Sequence, residues 1–294
     1  MQSGIIVINK PKDLTSQAVV SRVKRLFGEK KAGHTGTLDP MATGVLPVLL
    51  GRAVKASDYM LTSDKYYRAT LTLGLKTDTE DATGTVLYTH AGDIPDEDEV
   101  RRVIGAFVGK IKQTPPMYSA IKMGGKKLCD LARAGVTVER EAREITVHSI
   151  KVTRIDERHY SLDVHCQKGT YIRTLCHDIG QKLGCGACMT YLRRVEAGEF
   201  SVDNAVTIEY VQRAADEGRT GELLMPVDHL FASYPEYAAS DVETQRIKCG
   251  NEIRTGLTDG KYRVYSAKGE FLMLGQVSDG IMRTVKSFFE VEVK

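Results

Sequence analysis

The chain has 294 residues, of which 42% are hydrophobic and 27% charged, with a formal net charge of +3. These values are typical of a globular protein with one large domain and room for a small one. No apolar run approaches the roughly 20 residues of a membrane span, and the opening MQSGIIVINK lacks the features of an export signal. Six cysteines without such a signal favour reduced thiols over disulfides, so the sequence predicts a cytoplasmic protein.

The N-terminal segment predicts a strand followed by a helix. Residues 4–8, GIIVI, form a short apolar run rich in β-branched side chains, which is typical of a strand. The next segment, TSQAVVSRVKRLFG, carries its apolar residues at helical spacing. Thr15 or Ser16 would cap this helix, and Gly28 would end it.

The segment GHTGTLDPMATGVLP, residues 33–47, predicts a loop, after which VLPVLLG returns to a strand. Residues 65–74, KYYRATLTLG, alternate in polarity and place Tyr67 on the apolar face of another strand. The remaining patterns predict helices over 96–107, 126–134, 171–183 and 207–217, and strands over about 143–155, 159–167 and 189–199.

Strands and helices mix without regular βαβ alternation, so the sequence predicts an α+β fold with a mainly antiparallel sheet. The last 55 or so residues differ, because glycines there separate short runs such as YRVYS, FLMLGQV and FFEVEV. This rhythm favours a small all-β barrel or sandwich. Turn-forming and charged residues place the join within 216–240, which predicts domains 1–235 and 236–294.

Asp39 is the only acid within residues 33–47. Glycosidases usually need two carboxylates, whereas a single ionised one suits nucleophilic attack or stabilisation of a cationic sugar intermediate. The helix over 171–183 places Arg173 in its first turn, where a cation opposes the helix dipole and favours an acidic partner. Such an arginine would hold the pKa of Asp39 down. Taken alone, however, the position favours a surface arginine, and Tyr67 favours a core tyrosine.

Cysteines and basic residues form further clusters of ambiguous meaning. CGAC at 185–188, with Cys166, Cys176 and His177 before it, resembles a metal or redox motif, but packed thiols are favoured and no metal site is predicted. The two basic clusters fit either solvated helix faces or a polyanion site. Their members are Arg22, Lys24, Arg25, Lys30 and Lys31, and then Lys122, Lys126, Lys127, Arg133, Arg140 and Arg143.

GHTGTLDPMATGVLP resembles the catalytic loop of the TruB-type tRNA pseudouridine synthases, which act at uridine 55. The resemblance continues in order through KYYRATLTLGLKTDTEDATG, QTPPMYSAIKMGGKKL, LAR, CQKGTYIRTLCHDIGQKLGCGA and YLRR. It covers about residues 4–200, with a weaker match in MPVDHL at 225–230, and the tail resembles an RNA-binding PUA domain. It implies the pseudouridine-synthase fold, with a mixed sheet flanked by helices and a C-terminal β-barrel, and an RNA-binding insertion at about 113–140.

The resemblance further implies an isomerase that flips uridine 55 of the TΨC arm of tRNA, cleaves its glycosidic bond with an aspartate, and re-attaches the base through carbon 5. It implies no cofactor, no metal and no guide RNA, and we expect a monomer. Asp39 matches the catalytic aspartate, which attacks the ribose or the uracil or supports a glycal-forming elimination. Tyr67 matches the tyrosine that stacks on the flipped base and accepts a proton, and Arg173 matches the arginine that pairs with the aspartate.

Other positions match residues that bind the substrate. His34 matches the histidine that fills the space left by the flipped nucleotide, and Cys129 replaces an expected aromatic residue. The substrate-binding positions are Lys10, Pro11, Gly33, His34, Thr35, Gly36, Thr37, Lys122, Tyr171 and Leu192.

Three other functions are considered. A non-catalytic RNA-binding module would bind RNA without Asp39 and leave its chemistry unchanged. A guide-RNA-dependent relative would need a complex and usually carries longer flanking regions. A zinc-dependent nucleobase deaminase would need an H-x-E and P-C-x-x-C pattern, which this sequence lacks.

Overall fold

The computed structural model describes residues 3–289. Its strands, in chain order, are β1 (Gly4–Lys10), β2 (Ala32–His34), β3 (Thr43–Leu50), β4 (Lys65–Leu73), β5 (Leu75–Thr77), β6 (Val86–Thr89), β7 (Gly109–Gln113), β8 (Lys122–Met123), β9 (Lys126–Lys127), β10 (Arg143–Arg154), β11 (His159–Cys166), β12 (Ala187–Ala197), β13 (Phe200–Ser201), β14 (Glu236–Ala239), β15 (Ile253–Arg254), β16 (Gly260–Ser266), β17 (Phe271–Ser278) and β18 (Ile281–Ser287). Its helices are α1 (Ser16–Leu26), α2 (Ser57–Leu61), α3 (Glu97–Gly105), α4 (Leu128–Arg133), α5 (Ile172–Lys182), α6 (Ile208–Asp216) and α7 (Asp241–Lys248). Short 3-10 segments cover Gly51–Ala56, Val202–Asn204, Thr220–Leu223 and Val227–Phe231.

The central sheet has the order β1-β3-β12-β4-β11-β10-β7, with β2 added beside β3 and β13 beside β12. The β3–β12 pairing is parallel, and the remaining pairings of this sheet within the described residues are antiparallel. The predicted α+β class with a mainly antiparallel mixed sheet is confirmed. The parallel pairing brings the start of β3 next to Arg193 and Arg194 of β12.

The core lies on the face of this sheet that α3 and α5 cover. Ala69, Leu71 and Leu73 of β4 pack there with the apolar residues of α5, while Arg68 on the opposite face is exposed. The predicted alternation of β4 is therefore confirmed. In the part of the chain that the structure describes, no helix combines the length and apolarity needed to cross a membrane.

The predicted first helix is confirmed together with its signals. Thr15 Oγ1 accepts a hydrogen bond from the backbone of Ala18, and Gly28 follows the helix with a φ of +63°. The prediction of a loop over residues 33–47 is too long. Its first residues form the end of β2, which pairs with β3, and β3 already begins at Thr43. A three-residue strand is stabilised by its partner, so local sequence gives little sign of it.

The C-terminal sheet has the order β14-β16-β17-β18-β15 and curls into a half-barrel. The runs YRVYS and FLMLGQV lie in β16 and β17 as predicted, whereas FFEVEV extends from 288 beyond the described residues. The predicted C-terminal β domain is confirmed by this sheet, and only the expectation that the tail would be all-β is wrong, since it also contains α7. That helix begins with a capping box between Ser240 and Glu243, a signal that local sequence does carry.

An apolar cluster joins the tail to the rest of the chain. Phe231 packs against Phe271 of β17 and against Phe288, in one cluster with Ile5 of β1. Arg52 Nη1 also donates to the carbonyl of Phe288 at 2.8 Å.

Candidate active site

Residues 35–42 form a loop between β2 and β3 that is held from two sides. The hydroxyl of Ser16, buried in the first turn of α1, accepts from the backbone N–H of Leu38 at 2.8 Å and donates to its carbonyl at 3.0 Å. The buried guanidinium of Arg194 donates through Nη2 to the carbonyl of Gly36 at 3.1 Å. These contacts restrict the loop although its composition is rich in small residues.

Lys10 holds the same loop at Pro40, the residue after Asp39. Its buried ammonium donates to the carbonyls of Pro11 at 2.8 Å and Pro40 at 3.1 Å. Burial lowers the pKa of Lys10 to about 8, and this effect exceeds the opposing attraction of the Asp39 carboxylate. Lys10 therefore acts on the backbone beside Asp39 and places positive charge near its carboxylate.

Asp39 and Arg173 form a two-point ion pair. Arg173 Nε lies 3.0 Å from Oδ2 of Asp39, and Nη2 lies 3.4 Å from Oδ1. The remaining donors of the guanidinium reach the carbonyls of Thr79 at 3.0 Å and Tyr118 at 2.8 Å. The carboxylate of Asp81 lies 3.7 Å from Nε. Two segments distant in sequence, residues 79–81 and Tyr118, thus orient one guanidinium, which in turn orients Asp39.

Two expectations about this pair need correction. Arg173 is only 5% exposed, so the surface position favoured by its local sequence is wrong. The pKa of Asp39 is raised, not lowered. Burial of its carboxyl is the largest cause, and Asp81 adds repulsion, so together they exceed the lowering by Arg173 and Lys10.

Tyr67 projects from β4 on the same face as Arg194, with which it pairs directly across the β4–β12 ladder. Burial raises the pKa of Tyr67, although the neighbouring Arg194 guanidinium lowers it. The ring is half-buried and lines the same pocket as Asp39. At neutral pH the hydroxyl is therefore protonated, with a permanent cation beside it.

These side chains line a cavity of about 290 Å³, close to the size of small-ligand pockets at roughly 300 Å³ and above. Of the residues selected from sequence, those that line it are Thr35, Gly36, Thr37, Asp39, Tyr67, Tyr171, Arg173 and Leu192. Buried Gln113 fixes Tyr171 by accepting from its backbone N–H at 2.8 Å and donating to its carbonyl at 3.0 Å. The predicted catalytic residues therefore lie in one concave site.

Other selected residues lie outside the lining. Gly33 and His34 belong to β2 and precede the loop, and Nδ1 of His34 accepts from the backbone of Gly36 at 3.4 Å. Burial, with Arg194 nearby, lowers the pKa of His34, which keeps its ring neutral. Pro11 contacts the site through its carbonyl on Lys10. Lys122 lies on the exposed β8–β9 hairpin of the 113–140 segment.

Sequence reasoning missed several residues of the site. Arg194 lies in YLRR and Asp81 in KYYRATLTLGLKTDTEDATG, but neither is identified as a site residue from the sequence. Tyr118 follows a Pro-Pro pair in a segment without periodicity and reaches the pocket only through the fold. Lys65 is buried despite its charge. It lies two residues before Tyr67 on β4, so the alternation of this strand already places both side chains on the same face.

The cysteines near α5 pack as apolar side chains. Cys166, Cys176 and Cys185 belong to the main core cluster, and Cys188 is buried. Burial raises the pKa of Cys188 to about 11 and that of Cys166 to about 12. Gly184 and Gly186 follow α5 with φ of +77° and +76°, so this part of the motif ends the helix and forms a turn.

Comparison with known families matches most of the chain. Residues 24–172 match the family model described as "TruB family pseudouridylate synthase (N terminal domain)". Residues 173–232 match the one described as "tRNA pseudouridylate synthase B C-terminal domain". The junction between the two lies at the start of α5, so both contribute to the pocket.

Similar proteins include several named tRNA pseudouridine synthase B. One from Clostridium kluyveri is 40% identical over 291 residues, covering 97% of this chain and 99% of that protein. One from Aromatoleum aromaticum is 43% identical over 274 residues, covering 93% and 88%. Similar solved structures include a Cbf5–Nop10–Gar1 complex, with a TM-score of 0.71, 28% identity and coverage of 99% of this chain and 86% of that one. A second is an H/ACA RNP bound to a substrate RNA containing 2′-deoxyuridine, with a TM-score of 0.70, 26% identity and coverage of 99% and 86%.

Proposed function

The chain belongs to the TruB family of pseudouridylate synthases, and on that premise we propose how its pocket performs the reaction. The enzyme isomerises uridine in tRNA to pseudouridine. In this reaction the bond from N1 of uracil to C1′ of ribose breaks, and a bond from C5 to C1′ forms. C5 loses one proton and N1 gains one, so the number of protons on the base is unchanged and no water is consumed.

The two-point pairing of Asp39 with Arg173 in a concave pocket is the observation that carries this proposal. A uridine in a folded RNA loop must leave its stack before a protein group can reach the glycosidic bond. We assign to Asp39 the role of the carboxylate that promotes cleavage, by attack on ribose or uracil or by support of a glycal. Arg173 and Lys10 favour its ionised form, and Arg173 fixes its orientation.

Tyr67 and Arg194 line the same pocket as Asp39. Tyr67 would stack on the flipped uracil and take part in removal of the C5 proton. Because burial keeps its phenol protonated, Tyr67 would give its own proton to N1 of the base and take up the proton from C5. The adjacent Arg194 would stabilise negative charge on the phenol oxygen during this exchange. Leu192 and Tyr171 would enclose the detached base while it rotates, which limits the entry of water.

The substrate contacts extend beyond the pocket in this proposal. The exposed lysines of the β8–β9 hairpin, Lys122, Lys126 and Lys127, lie on the 113–140 insertion and would contact phosphates of the TΨC arm. Residues 1–235 would form the catalytic domain and 236–294 an RNA-binding PUA-like domain. We further propose that the enzyme acts at uridine 55 as a monomer, without guide RNA, cofactor or metal.

A tritium-release assay tests the assignment. Unmodified tRNA labelled with tritium at C5 of uridine is incubated with the purified chain, with EDTA and without guide RNA, and the modified position is mapped. Stoichiometric release at uridine 55 is expected. The variant Asp39→Asn should lose turnover and keep tRNA binding, because the amide preserves shape but cannot act as a carboxylate.

Asp163→Asn is the matched control, since Asp163 lies on the outer face of the sheet and pairs with the exposed Arg68 at 2.7 Å. It should turn over normally. Retained turnover in Asp39→Asn would refute the role of Asp39. Tight tRNA binding without release by the unaltered chain would favour an RNA-binding module or an enzyme that needs a guide.

A further inference from the structure

Three metal-ligating side chains meet on the outer face of the central sheet, the face opposite Tyr67. They are Asp64, just before β4, His148 in β10 and His165 in β11. Oδ2 of Asp64 lies 3.1 Å from Nε2 of His148 and 3.9 Å from Nε2 of His165. One ligand atom from each residue lies within 4.8 Å of those from the other two. Neither the sequence motifs nor the proposed reaction assigns them a role.

The register between β4 and β11 places Asp64 beside His165. Tyr66 pairs directly with His165 across the two strands, and their rings stack with centroids 6.0 Å apart. Asp64 precedes Tyr66 by two residues, so it points to the same face and lies diagonal to His165. Its carbonyl accepts from the backbone of Gly198 at 2.9 Å, which anchors the segment ahead of β4.

A β-bulge brings the second histidine to the same place. Along the β10–β11 pair, Val147 opposes Cys166 and Ser149 opposes His165, so His148 is the extra residue between them. Bulges of this kind re-aim a side chain out of the regular alternation. The centroids of the His148 and His165 rings are consequently only 4.6 Å apart. Three adjacent strand segments therefore each contribute one ligand to one point.

We propose that Asp64, His148 and His165 bind one divalent transition metal ion, with Zn²⁺ as the best fit and water completing the shell. Zinc binds imidazole nitrogen and carboxylate oxygen at about 2.0–2.2 Å in a tetrahedron, which sets its ligand atoms roughly 3.3–3.6 Å apart. The separations of 3.1 and 3.9 Å bracket this value, and the partly exposed side chains can adjust. Two imidazoles disfavour Mg²⁺ and Ca²⁺, which prefer oxygen ligands.

The position of this site indicates a stabilising ion and not a catalytic one. Lys65 and Tyr67 of β4 point to the pocket, whereas Asp64 lies on the other side of the sheet. An ion bound there joins β10, β11 and the segment before β4. The chain after β11 and strand β4 itself both line the pocket. Binding to the folded state alone would raise thermal stability. Turnover would not require the ion.

Titration calorimetry with ZnCl₂ on the full chain, freed of metal by EDTA and then desalted, tests the proposal. The chain carries Cys129→Ser and Cys249→Ser, because these are its exposed or partly exposed thiols among the described residues and could bind zinc themselves. We expect one zinc per chain. His148→Ala and His165→Ala should each weaken binding by about tenfold or more, since even outer-shell changes cost 10–100-fold.

His159→Ala is the matched control. His159 also lies on β11 and pairs with one aspartate, Asp156, at 2.8 Å, but it belongs to no three-ligand group within residues 3–289. Its loss should leave zinc affinity unchanged. Zinc should raise the melting temperature of the parent and of His159→Ala but not of His148→Ala. Absence of binding, equal affinity in all variants, or equal loss in His159→Ala would each overturn the proposal.

Discussion

Replacement of Arg173 by lysine tests whether a planar, multiply anchored cation is needed beside Asp39. The arginine spreads its donors over Asp39, the Thr79 carbonyl and the Tyr118 carbonyl at 2.8–3.4 Å. Lysine carries its donors on one nitrogen, so it can serve Asp39 or the two carbonyls but not all three. The variant retains the positive charge, and any defect therefore reports geometry.

The expected effect follows from these contacts. Displacement of a reacting group by about 1 Å costs on the order of 100-fold in rate, which corresponds to roughly 2.7 kcal/mol of barrier. Arg173→Lys should therefore lower kcat by about that factor. Carbonyls of Thr79 and Tyr118 left without a donor cost about 1–3 kcal/mol each, so the free energy of unfolding should fall by roughly 2 kcal/mol or more.

Single-turnover tritium release, measured well below the melting temperature of the variant, separates the two effects. Arg68→Lys is the control because Arg68 forms an Arg–carboxylate pair with Asp163 on the exposed outer face. Its rate and stability should barely change. The orienting role of Arg173 would be refuted if the rate of Arg173→Lys lay within about threefold of that of the unaltered enzyme. Such a change corresponds to a difference of less than about 1 kcal/mol in the activation barrier.

Two further predictions concern the electrostatics and the packing of the site. The pKa of Asp39 is raised, so activity that needs its carboxylate should fall on acidification at a higher pH than for an ordinary aspartate. Asp81→Asn removes a negative neighbour and should shift the acid limb of the kcat/KM profile to lower pH. A shift of that limb to higher pH would contradict the repulsion assigned to Asp81. Gly44→Ala should cost about 3 kcal/mol or more in urea unfolding, because a Cβ there would lie 2.1 Å from the carbonyl oxygen of Arg194 at a φ of +102°. Gly28→Ala, at a φ of +63° with no described atom within 4 Å, should cost only about 1 kcal/mol, and equal losses would refute the steric argument.

The local sequence pattern was sufficient to predict an element where that element buries one face and contains the residues that begin and end it. α1 has its apolar stripe, its Thr15 cap and the terminating Gly28, and all three lie within one short segment. The alternation of β4 likewise identifies the face that Tyr67 shares with the core. These features depend on neighbours in sequence, so they can be read without the fold.

Short paired elements could not be read in this way. β2 and the β5–β6 hairpin have only three or four residues per strand, and their stability comes from the strand beside them. The helix α7 is a different case, because its capping box was present in the sequence but the glycine rhythm of the tail outweighed it. The prediction of an all-β tail therefore failed because a signal in the sequence was given too little weight, and not because the signal was absent.

The sequence by itself determined the family, the α+β class and the identity of the acid, arginine and tyrosine that the pocket contains, because ordered motifs and periodicity are properties of the chain. Only the tertiary structure decided that Arg173 is buried, that burial raises the pKa of Asp39, and that Asp64 lies beside two histidines. Each of these depends on desolvation or on distances between segments far apart in sequence. Such quantities come into existence only when the sheet brings those segments together.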